Sequence, residues 1–143
     1  MAKAGAEGTL ILVVDDHPVN CMVLMRQVNT LGYAAETAEN GIAALEQLKS
    51  KRFALVVTDC NMPEMDGYEL ARTMRKIESA TGLKRTPIIA CTANAMAGEA
   101  EACLAAGMND YLSKPVQLRA LMEKLDHWLP LPEEKSNAEA GRR

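Results

Sequence analysis

The chain has 143 residues, 48% hydrophobic and 24% charged, with a net charge of −3. That length fits one domain able to bury roughly 68–70% of its unfolded surface. The acidic balance gives no electrostatic footprint for nucleic acid, and 3% aromatics leave no base-stacking platform. No stretch approaches the roughly 18 apolar residues of a membrane span. The opening "MAKAGAEGTL" lacks the apolar core of a signal peptide and reads as a tail.

In chain order, "LILVV" (residues 10–14) comes first, a continuous apolar run suited to a strand covered on both faces. Cys21, Leu24, Met25, Val28 and Leu31 then follow helical spacing, and Gly32 is the expected stop. "YAAETA" (residues 33–38) is a weaker strand, followed by a short helix with Ile42, Leu45 and Leu48 as its apolar stripe. "ALVVT" (residues 54–58) is a second covered strand, and Tyr68, Ala71 and residues 74–77 outline the next helix. "PIIAC" (residues 87–91) is a third, with proline tolerated at a strand's first position. "AMAGEAEACLAAG" (residues 95–107) is helical by its alanine content, with a poorly marked buried face. "DYLS" (residues 110–113) is a short strand, and Leu118, Leu121, Met122, Leu125 and Trp128 form the clearest helical stripe. Residues 1–8 and 131–143 read as tails around a domain at 9–130.

Strand followed by helix, five times over, calls for a parallel sheet with helices on both faces. The four cysteines, Cys21, Cys60, Cys91 and Cys103, contain no C-x-x-C pair and are expected to be reduced, mostly buried thiols of a cytoplasmic protein. His17 and His127 stand far apart in sequence and add nothing to the case for zinc.

The exceptional polar residues sit at strand ends. Asp15 and Asp16 follow the first strand, Asp59 the third and Thr92 the fourth, while Lys114 closely follows the fifth. All carboxyl ends of a parallel sheet share one edge, where ligands bind at the reversal of strand order. Three carboxylates, a hydroxyl and an ammonium are therefore expected in one crevice. Such carboxylates repel unless positive charge sits among them, and Mg²⁺, a hard cation held by oxygen, supplies it. An acidic pocket with a cation and a lysine suits phosphoryl transfer to a carboxylate nucleophile. Taken singly, each residue also has an ordinary reading: Asp15, Asp16 and Asp59 as turn or cap residues, Thr92 as a strand residue, Lys114 as a solvated lysine, Tyr111 as packing. Their order, each at a strand end, favours the site.

The stretches "VVDDHPVN", "TDCNMPEMDG", "CTANAM" and "DYLSKP" together resemble the receiver domain of two-component signalling, the phosphoacceptor module of response regulators, over about residues 10–129. The wording is most similar to receivers inside Bvg-type hybrid sensor histidine kinases. The resemblance implies an α/β, flavodoxin-like (βα)₅ fold, a three-layer sandwich on a five-stranded parallel sheet ordered 2-1-3-4-5. It implies Asp59 as phosphoacceptor, with Thr92 and Lys114 contacting the phosphoryl group. Mg²⁺, for which Mn²⁺ substitutes, would be held by Asp15, Asp16, Asp59 and the backbone carbonyl of Asn61. Thr92 and Tyr111 would form the switch, Asn61 and Asn94 would tune hydrolysis, and the Lys114–Pro115 bond would be cis. The implied partners are a histidine kinase domain or a histidine phosphotransfer domain, with no nucleic acid and no membrane contact by this domain. A hybrid parent would be an inner-membrane histidine kinase with this portion in the cytoplasm. A free-standing response regulator and, more remotely, an aspartyl-nucleophile phosphatase are the alternatives; enzyme status is left open, since a receiver assists its own phosphorylation and dephosphorylation.

Overall fold

The computed structural model describes residues 10–51, 53–60, 62, 65–82, 85–93 and 97–129, with 97–100 described by backbone alone. Strands and helices alternate: β1 (Leu10–Val14), α1 (Pro18–Thr30), β2 (Ala34–Ala38), α2 (Gly41–Ser50), β3 (Leu55–Asp59), α3 (Gly67–Thr81), β4 (Ile88–Thr92), α4 (Ala97–Ala105), β5 (Asp110–Ser113) and α5 (Leu118–Trp128). The strands form one parallel sheet in the order β2-β1-β3-β4-β5, as the resemblance implies. Both expected tails lie outside the described residues.

The apolar strands are buried on both faces because each face has its own helical layer. Ile11, Val13, Leu55, Val57, Ile89 and Cys91 pack with Leu24 and Val28 of α1 and Leu121 and Leu125 of α5. The alternate residues Leu12, Val14, Val56, Ile88 and Ala90 pack with Ala44 of α2, Leu70 and Met74 of α3, and Cys103 of α4. Period-two alternation thus divides one continuous apolar run between two cores. All four cysteines are buried and outside any disulfide, and Cys60 lies against Cys103 with Sγ atoms 4.0 Å apart.

Three expectations need correction. Strands 3 and 4 sit one residue later than their apolar runs, so Asp59 and Thr92 are the last strand residues rather than the first beyond. Pairing geometry, not polarity, sets that boundary: Asp59 stands opposite Cys91 and Thr92 opposite Ser113. On α2 the stripe is different, with Ala44 buried and Ile42 49% exposed. Asn40 caps that helix by accepting from the Ala43 N–H, and this fixes the helical phase that turns Ile42 outward. On α5 only Leu121 and Leu125 are buried, while Leu118 and Met122 are exposed. The expected stop at Gly32 holds, with φ at 99°, a conformation that disfavours any side chain. The Lys114–Pro115 bond is cis.

Candidate functional site

At the carboxyl edge, β1 runs directly into Asp15, whose N–H donates to the Ala38 carbonyl at 3.1 Å and prolongs the pairing with β2. Asp15 is 1% exposed. Its Oδ1 accepts the His17 N–H at 2.9 Å, closing a turn into α1, whose first residue is Pro18. The ordinary turn reading of Asp15 thus accounts for one of its two oxygens. The other oxygen, Oδ2, is buried with no hydrogen-bond partner among the described residues. Asp16 is half-buried beside it, and His17 Nδ1 lies 3.4 Å from Asp16 Oδ1.

Asp59, almost fully buried, enters from β3. Its backbone is pinned from behind: the Thr58 hydroxyl donates to the Asp59 carbonyl at 3.0 Å and the Gly67 N–H to the Cys60 carbonyl at 3.1 Å. At Gly67 a Cβ would sit 2.3 Å from the Asp59 carbonyl oxygen and 3.1 Å from Cys60 Cα. Only glycine lets α3 start this close to the backbone of Asp59 and Cys60. Asp66 caps α3 by accepting from the Glu69 N–H at 2.9 Å, so "MDG" carries both the cap and the close approach.

Lys114 reaches the crevice because its N–H donates to the Thr92 carbonyl at 2.9 Å, extending the β4–β5 pairing by one residue. Its Nζ is 3.0 Å from Asp59 Oδ1 and 3.7 Å from Asp15 Oδ2. Burial disfavours the ammonium, but the hydrogen bond and charge of Asp59, and then the charge of Asp15, outweigh it and raise the lysine pKa. The lysine is therefore a firm cation. Beneath it, burial pushes the Cys91 thiol up to about 12, so that thiol stays protonated.

Thr92 is buried at the same edge. Tyr111 stands opposite Ala90 on β5, partly buried against the α2–α4 core, with Lys124 Nζ 5.9 Å from its ring centroid. Thr92 and Ala90 are two residues apart on β4, so Thr92 and Tyr111 share a face of the sheet. Asn61 and Asn94 lie outside the described residues. The structure thus brings Asp15, Asp59 and Lys114 into direct contact, sets Asp16 beside them and leaves Tyr111 a few residues down the sheet.

Sequence reasoning passed over Gly67 and weighed His17 only for zinc, setting it aside for its distance from His127. Gly67 had a signal, a glycine immediately after a capping Asp and two residues before Glu69. His17 had the plainer one of standing next to the acid pair. One ligand atom each from Asp15, Asp16 and His17 fall within 4.8 Å of one another.

A doubly wound parallel sheet with an acid-and-lysine crevice at its carboxyl edge defines a class of α/β proteins, and comparison with known proteins gives the family. The family described as "Response regulator receiver domain" matches residues 11–126. The chain belongs to that family, and it is a receiver domain of two-component signalling. It is 46% identical over 116 residues to the sensor histidine kinase RcsC of Salmonella typhi, covering 81% of this chain and 12% of that protein. It is 47% identical over 118 residues to the virulence sensor protein BvgS of Bordetella pertussis, covering 81% and 10%. The chain therefore spans only about a tenth of the length of these relatives. Among solved structures, it matches the receiver domain of sensor histidine kinase PA1611 from Pseudomonas aeruginosa, whose active-site cleft coordinates a magnesium ion. There the TM-score is 0.76 at 40% identity, covering 88% of this chain and 100% of that one. It also matches a chain in the Saccharomyces cerevisiae co-crystal of the histidine phosphotransfer protein Ypd1 with the Ssk1 receiver domain, with a TM-score of 0.80 at 29% identity, covering 84% and 88%.

Proposed function

We propose that this receiver takes a phosphoryl group from a phosphohistidine onto Asp59 in a reaction that requires Mg²⁺. The observation that carries the reading is the pairing of Lys114 with Asp59 at 3.0 Å beside the buried, unbonded Oδ2 of Asp15. A buried carboxylate oxygen without a donor is costly, and a hard divalent cation relieves it. Asp15 and Asp16 fit that cation, with Asp59 and the Asn61 carbonyl completing the set. When bound, the cation neutralises charge on the phosphoryl oxygens.

An Asp59 oxygen attacks phosphorus, the phosphorus–nitrogen bond of the donor breaks, and its electron pair returns to the imidazole. Lys114 releases one of its contacts to Asp59 and holds a phosphoryl oxygen, while burial of the edge limits water. The product carries roughly −2 charge. The Thr92 hydroxyl donates to it, and Tyr111 turns inward over the space released. Complete switching requires about 5.5 kcal/mol of differential stabilisation, within reach of a few charge-assisted hydrogen bonds at about 1.5–3 kcal/mol each.

The donor and acceptor partners are a histidine kinase domain and a histidine phosphotransfer domain. Val19, Met22 and Val23 support this: they are exposed at 63%, 44% and 48% on α1, next to the acid pair, where a helical partner would cover them. The kinship with sensor kinases supports a place within a cytoplasmic portion of a hybrid kinase. Among the described residues no helix is long and apolar enough to cross a membrane.

The test is incubation with Mg²⁺ and a small acyl phosphate, followed by intact-mass and peptide mapping. One phosphoryl group on Asp59, lost in Asp59→Asn and on chelation, is expected. Modification elsewhere that persists in Asp59→Asn would overturn the assignment.

A further inference from the structure

We propose that His17 turns the acid crevice into a mixed oxygen–nitrogen site, which takes first-row transition cations through its imidazole as well as Mg²⁺ through its carboxylates. The inference rests on the cation site proposed above and adds a ligand to it.

His17 is the residue before α1, and a polar side chain there ordinarily caps the helix. This one makes no capping hydrogen bond. It is also 71% exposed, so packing does not hold it. What positions it is the turn: its own N–H donates to Asp15 Oδ1 at 2.9 Å, folding the imidazole back over the acids. Nδ1 then lies 3.4 Å from Asp16 Oδ1 and 3.9 Å from Asp15 Oδ1. Ligands at about 2.1 Å from one octahedral ion stand about 3 Å apart when adjacent and about 4.2 Å when opposite. The observed span of 4.8 Å or less closes onto one ion with small side-chain rotations.

A second observation points independently to a cation. Asp15, 1% exposed, keeps Oδ2 buried and, among the described residues, without a hydrogen bond. The ammonium that could serve it, Lys114, stands 3.7 Å away and bonds Asp59 instead. Carboxylates alone suit Mg²⁺, whereas imidazole nitrogen suits Ni²⁺, Co²⁺ and Zn²⁺. The nitrogen would therefore raise affinity selectively.

Calorimetric titration of the full chain with Ni²⁺ and with Mg²⁺ separates the two readings, with the visible absorption of added Co²⁺ as a second readout. His17→Ala is expected to weaken Ni²⁺ about tenfold or more and to shift the Co²⁺ spectrum, with Mg²⁺ affinity changed less than about twofold. His127→Gln, the other histidine, is expected to change neither. Equal Ni²⁺ affinity and an unchanged Co²⁺ spectrum in His17→Ala would overturn the role of His17 while leaving the Mg²⁺ site standing. Mg²⁺ affinity unmoved by Asp16→Asn would instead overturn the underlying site.

Discussion

The two ends of the sheet carry polar clusters of similar make-up and opposite character. At the amino end of β4 and β5, Arg75 donates to the Gly107 carbonyl at 2.9 Å, to Glu78 Oε1 at 2.8 Å and to Asn109 Oδ1 at 2.8 Å. Glu78 Oε2 accepts the Thr86 N–H and Asn109 Oδ1 accepts the Ile88 N–H, both at 2.9 Å. Asp110 nearby accepts from Tyr111 N–H, Lys124 and Trp128. Each acceptor in this set is used. At the carboxyl end, among the described residues, no hydrogen bond reaches one buried oxygen of Asp15, and Lys114 faces both Asp15 and Asp59. A saturated network specifies structure, whereas a buried acceptor left unsatisfied calls for an explanation, which the proposed cation site offers. The first ties α3 and α5 to the sheet.

That contrast breaks most visibly if the saturated end is cut. Arg75→Ala leaves Glu78 and the Gly107 carbonyl short of their donor, and a loss of about 2–4 kcal/mol is expected in denaturant unfolding. A loss below about 0.5 kcal/mol would mean that these bonds contribute no more than those of freely exposed side chains. Next in size, Gly67→Ala drives a methyl into the Asp59 carbonyl. It is expected to cost about 1–3 kcal/mol and to slow acyl-phosphate labelling of Asp59, because α3 and the acceptor loop must separate. Unchanged labelling would mean the pinning is unrelated to the site.

The opposite sign is expected at the carboxyl end. In cation-free buffer Asp15→Asn removes a buried charge that Lys114 meets only at 3.7 Å and keeps the oxygen that accepts from His17, so stability should hold or rise by up to about 1 kcal/mol. A large loss would show that Asp15 is structural in the way Arg75 is. The smallest effect concerns acid. Burial opposes the Asp110 carboxylate, but the bonds from Trp128, Lys124 and the Tyr111 N–H outweigh it and lower its pKa below 3.8. A depressed carboxylate contributes stability above its unfolded value, and that contribution is lost as pH falls through the folded value. Trp128→Phe should therefore cost about 1 kcal/mol at neutral pH and flatten the decline in stability below about pH 3.8. Parallel pH profiles for both proteins would remove Trp128 from that account.

Much of the architecture was legible from local pattern. Three apolar runs and two weaker strand segments between helical stripes imply a parallel sheet, and Asp15, Asp59, Thr92 and Lys114 each sit within a residue of a strand's end. The α2 stripe was read right at Leu45 and Leu48, which pack partly buried against the core, and wrong at Ile42, which is exposed while Ala44 faces inward. The saturated network was not legible: Arg75, Asn109 and Thr86 belong to three segments, and nothing in their spacing brings them together. Trp128 read as the end of an apolar stripe, and its N–H bond to Asp110 at 3.0 Å became visible only in the fold.

The sequence by itself determined the class of fold and the edge on which chemistry would gather, since periodicity and strand-end polarity are local properties of the chain. Only the tertiary structure decided how each atom is used. It gave one Asp15 oxygen to a turn and left the other bare, paired Lys114 with Asp59 before Asp15, and seated Gly67 against the acceptor's backbone. Those assignments depend on distances of a few ångströms between segments tens of residues apart, which register and packing set and spacing along the chain does not.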